Sequence, residues 1–297
     1  MILVTGATGF IGSHLVSRLA LSSKVRCLIR PTATDKARFT GSVELVVEDL
    51  ARPTNLEQAL EGVDCVIHLA ALLRKEPPDQ IRRVNIEGTR RLVDTSIKKR
   101  VGRFIFLSSE NALREDLHDA YAESKRAAEA VVRSFPNYLI LRPCFVYGLG
   151  DDHGLGRLVH MGNHSCFVPL FGNLKSLIQP IYIDDMIEYL SRAVHNGLCG
   201  EYMIAGSDTI NLNEFVKKAL RIAHKKKVAV IMPHSFYYAA AVLGDILFKG
   251  KGWGRTQLKN IYSSRTYSIE KTVKDFDYAP RGVNAGLTAW LGARNDS

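Results

Sequence analysis

Short apolar runs alternate with segments of helical period through the first half of the chain. The runs Ile2–Thr5, Val25–Ile29, Glu44–Val47, Cys65–Leu69, Arg103–Leu107 and Leu139–Arg142 are four or five residues long and mostly apolar at successive positions. That is how strands buried on both faces of a sheet read. Between them, apolar residues recur with helical spacing at Ile11–Leu21, Asn55–Leu60, Ile81–Lys98 and Ala120–Ser134. Each pair of strands is therefore separated by enough chain for a crossover, and right-handed βαβ units follow. The pattern predicts an α/β fold, a doubly wound parallel sheet with helices on both faces.

The character changes after Gly148. "GLGDDHGLG" reads as a loop by its glycines and aspartates, "PIYIDDMIEYLSRAVH" as strand, turn and helix, and "GEYMIAG" as a further strand. Helical periodicity returns near Leu212–His224 and Ser235–Phe248. We therefore expect a nucleotide-binding domain over 1–150 and about 178–206, with a smaller, partly interleaved C-terminal substrate lobe over about 151–177 and 207–297.

Composition narrows the class. Of the 297 residues, 46% are apolar and 24% charged, as in an ordinary globular enzyme. No run approaches the roughly 18 apolar residues of a membrane span. The strand pattern begins at once, which leaves no room for a signal peptide. The five cysteines, Cys27, Cys65, Cys144, Cys166 and Cys199, show neither metal spacing nor a disulfide framework, so a cytoplasmic location is expected. The net charge of +10 is unevenly placed: between Lys217 and Lys259 stand ten Lys and Arg against one acid, Asp245. A solvated basic surface is the plain reading. Attraction of an anionic substrate, or peripheral contact with an acidic membrane, is the sharper one. No nucleic-acid-binding module accompanies the charge.

"VTGATGFIGSHLVSRLA" sets Gly6, Gly9 and Gly12 between the first strand and the first helix. A dinucleotide pyrophosphate needs this arrangement: a tight turn, close backbone approach, and a helix N-terminus offering free N–H groups. Gly6, Ala7, Thr8, Gly9, Phe10, Ile11 and Gly12 form the candidate cradle of a Rossmann-like domain. The second strand ends at Arg30 with no acid until Asp35, and Lys36 and Arg38 add positive charge. A basic residue here favours the 2′-phosphate of NADP, so NADP is expected over NAD.

Tyr121 and Lys125 stand four apart on a predicted helix, hence on one face. Tyrosine has a reference pKa near 10, and bringing it to about 7 takes roughly 4 kcal/mol. One cation about 4 Å away at an effective dielectric near 20 supplies that order of energy. Lys125 is therefore expected to tune Tyr121 as an acid or base.

Taken together, "TGATGFIG" (5–12), "VVEDL" (46–50), "VIHLAA" (66–71), "VNIEGTRRLV" (84–93), "FLSSENA" (106–112), "YAESK" (121–125), "LRPCFVYG" (141–148), "PIYIDD" (180–185) and "DYAPRGVNAGL" (277–287) resemble the extended short-chain dehydrogenase/reductase family, its NAD-dependent epimerase/dehydratase branch. The likeness covers nearly the whole chain. It implies Ser109, Tyr121 and Lys125 as catalytic residues. It also implies Asp49 and Leu50 at the adenine end, Leu69, Ala70 and Ala71 along the cofactor trough, and Pro143 near the nicotinamide, with Tyr121 and Lys125 touching the cofactor as well. Asn85 falls where the family often carries a helix asparagine; the alternative is a polar residue on the helix surface. Glu110, Asn111 and Phe145 fall at substrate-contacting positions. Sugar-nucleotide 4,6-dehydratases of the family carry Thr-Asp-Glu where this chain has Ser109-Glu110-Asn111, so that elimination is not expected. Phe145 and Ile178 replace an Asn and an Arg that contact nucleotide sugars. The resemblance thus implies hydride transfer at a secondary alcohol or ketone of a small molecule, anionic or lipidic. Nucleoside-diphosphate-sugar epimerases and hydroxysteroid or dihydroflavonol reductases are the two models. A catalytically idle cofactor-binding protein is the alternative, and a homodimer through Ile81–Lys98 and Ala120–Ser134 is the assembly that the family suggests.

Overall fold

The computed structural model describes residues 1–36, 39, 41, 43–152, 155–156, 159, 167–223, 228–247 and 254–292. Arg38, Cys166, Lys225, Lys226, Lys227, Lys249 and Lys251, singled out above, lie outside them. The strands are β1 (Ile2–Thr5), β2 (Val25–Ile29), β3 (Val43–Val47), β4 (Cys65–His68), β5 (Arg103–Leu107), β6 (Tyr138–Pro143), β7 (Val146–Tyr147), β8 (Phe167–Phe171), β9 (Leu177–Ile178), β10 (Ile181–Tyr182), β11 (Gly200–Ile204), β12 (Ile210–Asn211) and β13 (Val228–Met232).

Seven strands form one sheet in the order β11-β6-β5-β4-β1-β2-β3, every pairing parallel. β1, β4 and β5 are buried at every position, which is why their sequences are continuous apolar runs rather than alternating ones. The strand order reverses direction between β1 and β4, and the carboxyl ends of strands beside such a reversal are where open α/β sheets hold ligands. Leu3, Val66, Phe104, Phe106 and Ile140 pack one face of the sheet against Leu92, Val93, Val132 and Phe135.

The chain divides into two compact units. The first is Met1–Pro143, Met186–Ile204 and Lys271–Tyr278; the second is Cys144–Asp185, Ala205–Glu270 and Ala279–Ser297. The first contains the seven-stranded sheet, with helices α1 (Phe10–Leu19), α2 (Leu56–Ala59), α3 (Pro78–Arg82), α4 (Thr89–Lys98) and α5 (Ala120–Val132). The second is built on two-stranded pairings, β10 with β7, β12 with β9 and β13 with β8. Its centre is aromatic: the Tyr147 ring lies 5.1 Å from Phe215, 5.7 Å from Tyr182 and 5.9 Å from Trp290.

One segment differs from its expected form. Where a single helix is expected over Ile81–Lys98, α3 and α4 are joined by a π-helical turn, Arg83–Gly88. The wider turn carries Asn85 and Gly88 to the buried side. Gly88 packs closely there: a Cβ would stand 3.0 Å from the Leu50 carbonyl oxygen.

A buried ion-pair network ties β5, β6, β11 and α5 together. Glu129 accepts from Arg142 Nε at 2.8 Å and Nη2 at 2.6 Å, and from Ser108 Oγ at 2.6 Å. Arg142 also pairs with Glu201, which accepts from Arg133 Nε at 2.6 Å. Removing one member of a buried pair strands its partner in a low-dielectric site. Glu129→Ala is therefore expected to lower unfolding stability by about 3–5 kcal/mol, measured by urea titration. Glu201→Ala, at a more exposed position, should cost clearly less.

Candidate active site

The site begins at the carboxyl end of β1. Gly6 has φ +70°, and a Cβ there would meet Ala70 N at 2.7 Å. A Cβ on Gly12 would lie 2.2 Å from the Gly6 carbonyl oxygen, so only glycine lets α1 close onto the turn. Gly9 N–H donates to Gly6 O at 3.0 Å, and Gly9 caps α1 with no side-chain hydrogen bond and no acid in the first turn. The helix thus presents unpaired N–H groups and the positive end of its dipole beside a backbone stripped of side chains. A dinucleotide pyrophosphate fits this cradle on charge and on space.

The other cofactor candidates lie along the same strand ends. Arg30 is exposed just after β2, and Leu69, Ala70 and Ala71 are partly buried after β4. Asp49 Oδ1 is occupied by Ala51 N–H at 2.9 Å, and Leu50 is buried against Gly88. Pro143 is buried at the end of β6. Beside Asp49, Glu48 is buried and accepts from the backbone N–H groups of Asp49, Thr54 and Asn55 at 2.9, 3.1 and 2.6 Å, which fixes this turn.

Beneath the trough runs a polar chain centred on His68. Ala70 N–H donates to Thr5 Oγ1 at 3.2 Å, and Thr5 Oγ1 lies 2.6 Å from His68 Nδ1. On the other side, His68 Nε2 is 2.9 Å from Thr89 Oγ1, which donates to Asn85 O at 2.7 Å. Because the Thr89 proton is already used, His68 Nε2 must donate, leaving Nδ1 to accept from Thr5. Burial, with the nearby Lys125 adding to it, drops His68 to about 3, so the ring is neutral. It fastens the trough to the π-helical turn. The histidine inside "VIHLAA" was the sequence signal for this link, since a titratable residue in an apolar strand must find partners.

Asn85 does comparable work for α5. Its Oδ1 accepts from Leu72 N–H at 2.7 Å, and its Nδ2 donates to Leu72 O at 3.0 Å and Ser124 Oγ at 2.9 Å. Ser124 Oγ in turn donates to Tyr121 O at 2.8 Å. The residue is thus a buried clamp, not the helix-surface polar group that remained open from the sequence.

Tyr121, Lys125 and Ser109 come together at the ends of β5 and α5. Asp119 caps α5 by accepting from Ala122 N–H at 2.9 Å, which sets Tyr121 in the first turn. Ser109 Oγ accepts from Asn111 Nδ2 at 3.0 Å, and the Ser109 hydroxyl acts on the Tyr121 phenol in the direction of a lower pKa. Glu110 and Asn111 are buried beside it, and Asn111 Oδ1 has no partner among the described residues.

The electrostatics differ from the sequence expectation. Lys125 is buried, donates from Nζ to Leu107 O at 2.8 Å and lies 4.7 Å over the Phe106 ring. Burial pushes it down to about 7, against a partial lift from Glu129. The cation acting on Tyr121 is instead Arg74, whose guanidinium lies 4.9 Å over the phenol ring while Nε donates to Asp119 Oδ2 at 2.9 Å. Desolvation dominates at Tyr121, and its pKa is raised above the ordinary 10 despite the opposing effects of Arg74 and Ser109. A protonated phenol is therefore the resting form.

Phe145 belongs to the second unit. There Arg265 lies 4.6 Å over its ring, with Nη2 donating to Asn260 O at 2.6 Å. Ile178 is buried and bridges Arg265. The arginine beside Ile178 is thus engaged by its own unit.

The chain is similar to proteins of known activity. It is 31% identical over 249 residues to a ceramide reductase of Caulobacter vibrioides, covering 82% of this chain and 77% of that one. It is 25% identical to an N-acetyl-alpha-D-glucosaminyl-diphospho-ditrans,octacis-undecaprenol 4-epimerase of Escherichia coli O157:H7, covering 98% and 94%. A UDP-glucose 4-epimerase of Thermotoga maritima, solved with UDP-glucose, shares the fold at a TM-score of 0.79 and 21% identity, covering 99% and 98%. The sequence pattern of the NAD dependent epimerase/dehydratase family matches residues 2–206. On that match the chain belongs to the NAD dependent epimerase/dehydratase family, as an enzyme that transfers hydride between a nicotinamide dinucleotide and a secondary alcohol or ketone.

Proposed function

We propose that the protein is a ketone reductase acting on a lipid-like substrate, with Tyr121 as the proton donor. The observation that carries this reading is the gathering of Tyr121, Ser109 and Asn111 at the ends of β5 and α5, with Arg74 over the phenol ring; desolvation keeps the phenol on the protonated side. Reduction of a ketone requires a proton at the carbonyl oxygen, and a phenol with a raised pKa is ready to give one. Ser109 holds the substrate oxygen against the phenol, and Asn111 Nδ2 orients Ser109 in turn. Gly6, Gly9 and Gly12 with the N-terminus of α1 hold the pyrophosphate, and Lys125, one helical turn from Tyr121 and held by the Leu107 carbonyl, supports the nicotinamide end. When bound, the nicotinamide supplies the hydride.

The substrate class rests on two supports. Ceramide and undecaprenol, in the names of the two relatives, are both long-chain apolar compounds. Phe145 and Ile178 are apolar where nucleotide-sugar enzymes place an Asn and an Arg, and Arg265 is engaged with Asn260. Dehydration is not proposed, because Asn111 stands where the second acid of a 4,6-dehydratase would be and serves Ser109 instead.

Replacing Tyr121 by Phe removes the donor while keeping the ring. Hydride transfer to a long-chain ketone, followed by nicotinamide absorbance, is expected to fall at least a hundredfold, a typical loss for a positioned proton donor. Dinucleotide binding should persist, and wild-type turnover by this variant would end the proposal. The pH dependence follows from the sign of the Tyr121 shift. Below the raised pKa the phenol keeps its proton, so reduction should be flat from neutral to pH 9. The reverse oxidation needs the phenolate and should climb about tenfold per pH unit over that range. An oxidation rate already level at pH 7 would place the titration at neutrality, contrary to this assignment.

We further propose that the cofactor is NADP(H), because Arg30 is exposed at the end of β2 with no acid beside it in the sequence. Arg30→Ala should weaken NADPH binding about tenfold or more while changing NADH binding little, as read by fluorescence titration. Equal losses for both would remove the argument.

A further inference from the structure

The second unit contains a helix with an apolar face that is exposed among the described residues. Helix His234–Leu247 buries Tyr237, Ala241 and Gly244, spaced three to four apart as one face, and Tyr237 stacks on Phe171 at 4.3 Å. The adjoining face is also apolar: Phe236 (52% exposed), Ala239, Ala240 and Leu243 (55% exposed) follow the same spacing. Ile231 at the end of β13 is 64% exposed just before this helix. A helix apolar on both faces is normally enclosed on both. An exposed apolar stripe of this kind marks a surface that another phase or molecule covers.

We infer that this face docks on an anionic lipid bilayer. Three features choose that occupant. From His234 to Gly244 the sequence contains no Asp, Glu, Lys or Arg, so the face can enter the headgroup–acyl boundary without burying a formal charge. The segment is flanked in sequence by cations: ten Lys and Arg against Asp245 alone between Lys217 and Lys259. Cations that flank an apolar segment are attracted to anionic headgroups. A second copy of this chain would bring the same sequence-flanking cations, so like charges oppose self-association. Tyr238, half exposed and 6.3 Å from the His234 ring, adds an aromatic side chain with a polar tip, of the type that settles at membrane interfaces.

The inference does not depend on the reaction, so it is tested by binding. The full chain is mixed with phosphatidylglycerol-rich vesicles or with pure phosphatidylcholine vesicles and floated on a density gradient. It is expected to float with the first and not the second, and to release partly at high salt. The double substitution Phe236→Ser and Leu243→Ser should lower the floated fraction about tenfold, since two apolar side chains no longer insert. Its circular dichroism and dinucleotide binding should remain unchanged. Absence of flotation by the unaltered chain would overturn the inference. So would equal flotation of the double variant, or sedimentation showing that the two side chains hold a dimer together instead.

Discussion

Everything in the first unit is arranged around a contact that no side chain can enter, the approach of Gly12 to the Gly6 carbonyl. An added Cβ would sit 2.2 Å from that oxygen. Without one, α1 starts directly at the end of β1 and its free N–H groups open onto the crevice. The crevice itself is set by strand order, because the sheet reverses direction beside β1. The position of the glycines and the position of the switch point therefore coincide.

Two polar assemblies under the crevice convert the sheet into a rigid support. The His68 chain joins β1, β4 and the π-helical turn by hydrogen bonds in which each described proton has one acceptor. The Glu129 cluster joins the end of β5 to α5 and β6. Both are buried, and buried polar groups of this kind are favourable when fully paired and costly when not. Their effect on the site is positional: one fixes the trough at Ala70, and the other fixes the helix bearing Tyr121 and Lys125.

Charge placement then determines which proton is available. Lys125 lies in too dry a place to act as a strong permanent cation, and its ammonium is turned to the Leu107 carbonyl. Arg74 supplies positive charge over the Tyr121 ring, yet desolvation of the phenol outweighs it. The same pair of residues, four apart on a helix, would support base chemistry if the lysine faced the phenol in a wetter site. Burial reverses the preference towards proton donation.

How much of this was legible in the sequence depends on the range of the interaction. The seven parallel strands, the glycine turn and the shared helix face of Tyr121 and Lys125 follow from patterns within about twenty residues: continuous apolar runs, a strand–glycine–helix junction, and helical period. Those are local steric and solvation rules, and the sequence by itself determined them. Asn85 could not be placed from its spacing, because a π-helical turn inserts an extra residue per turn and rotates it inward. The pairing of Arg142 with Glu201 and the setting of Arg74 over Tyr121 join residues far apart in the chain, and the exposure of one face of helix His234–Leu247 depends on what packs against it. Only the tertiary structure decided them, since burial and charge environment are properties of what packs around a residue, not of its neighbours in sequence.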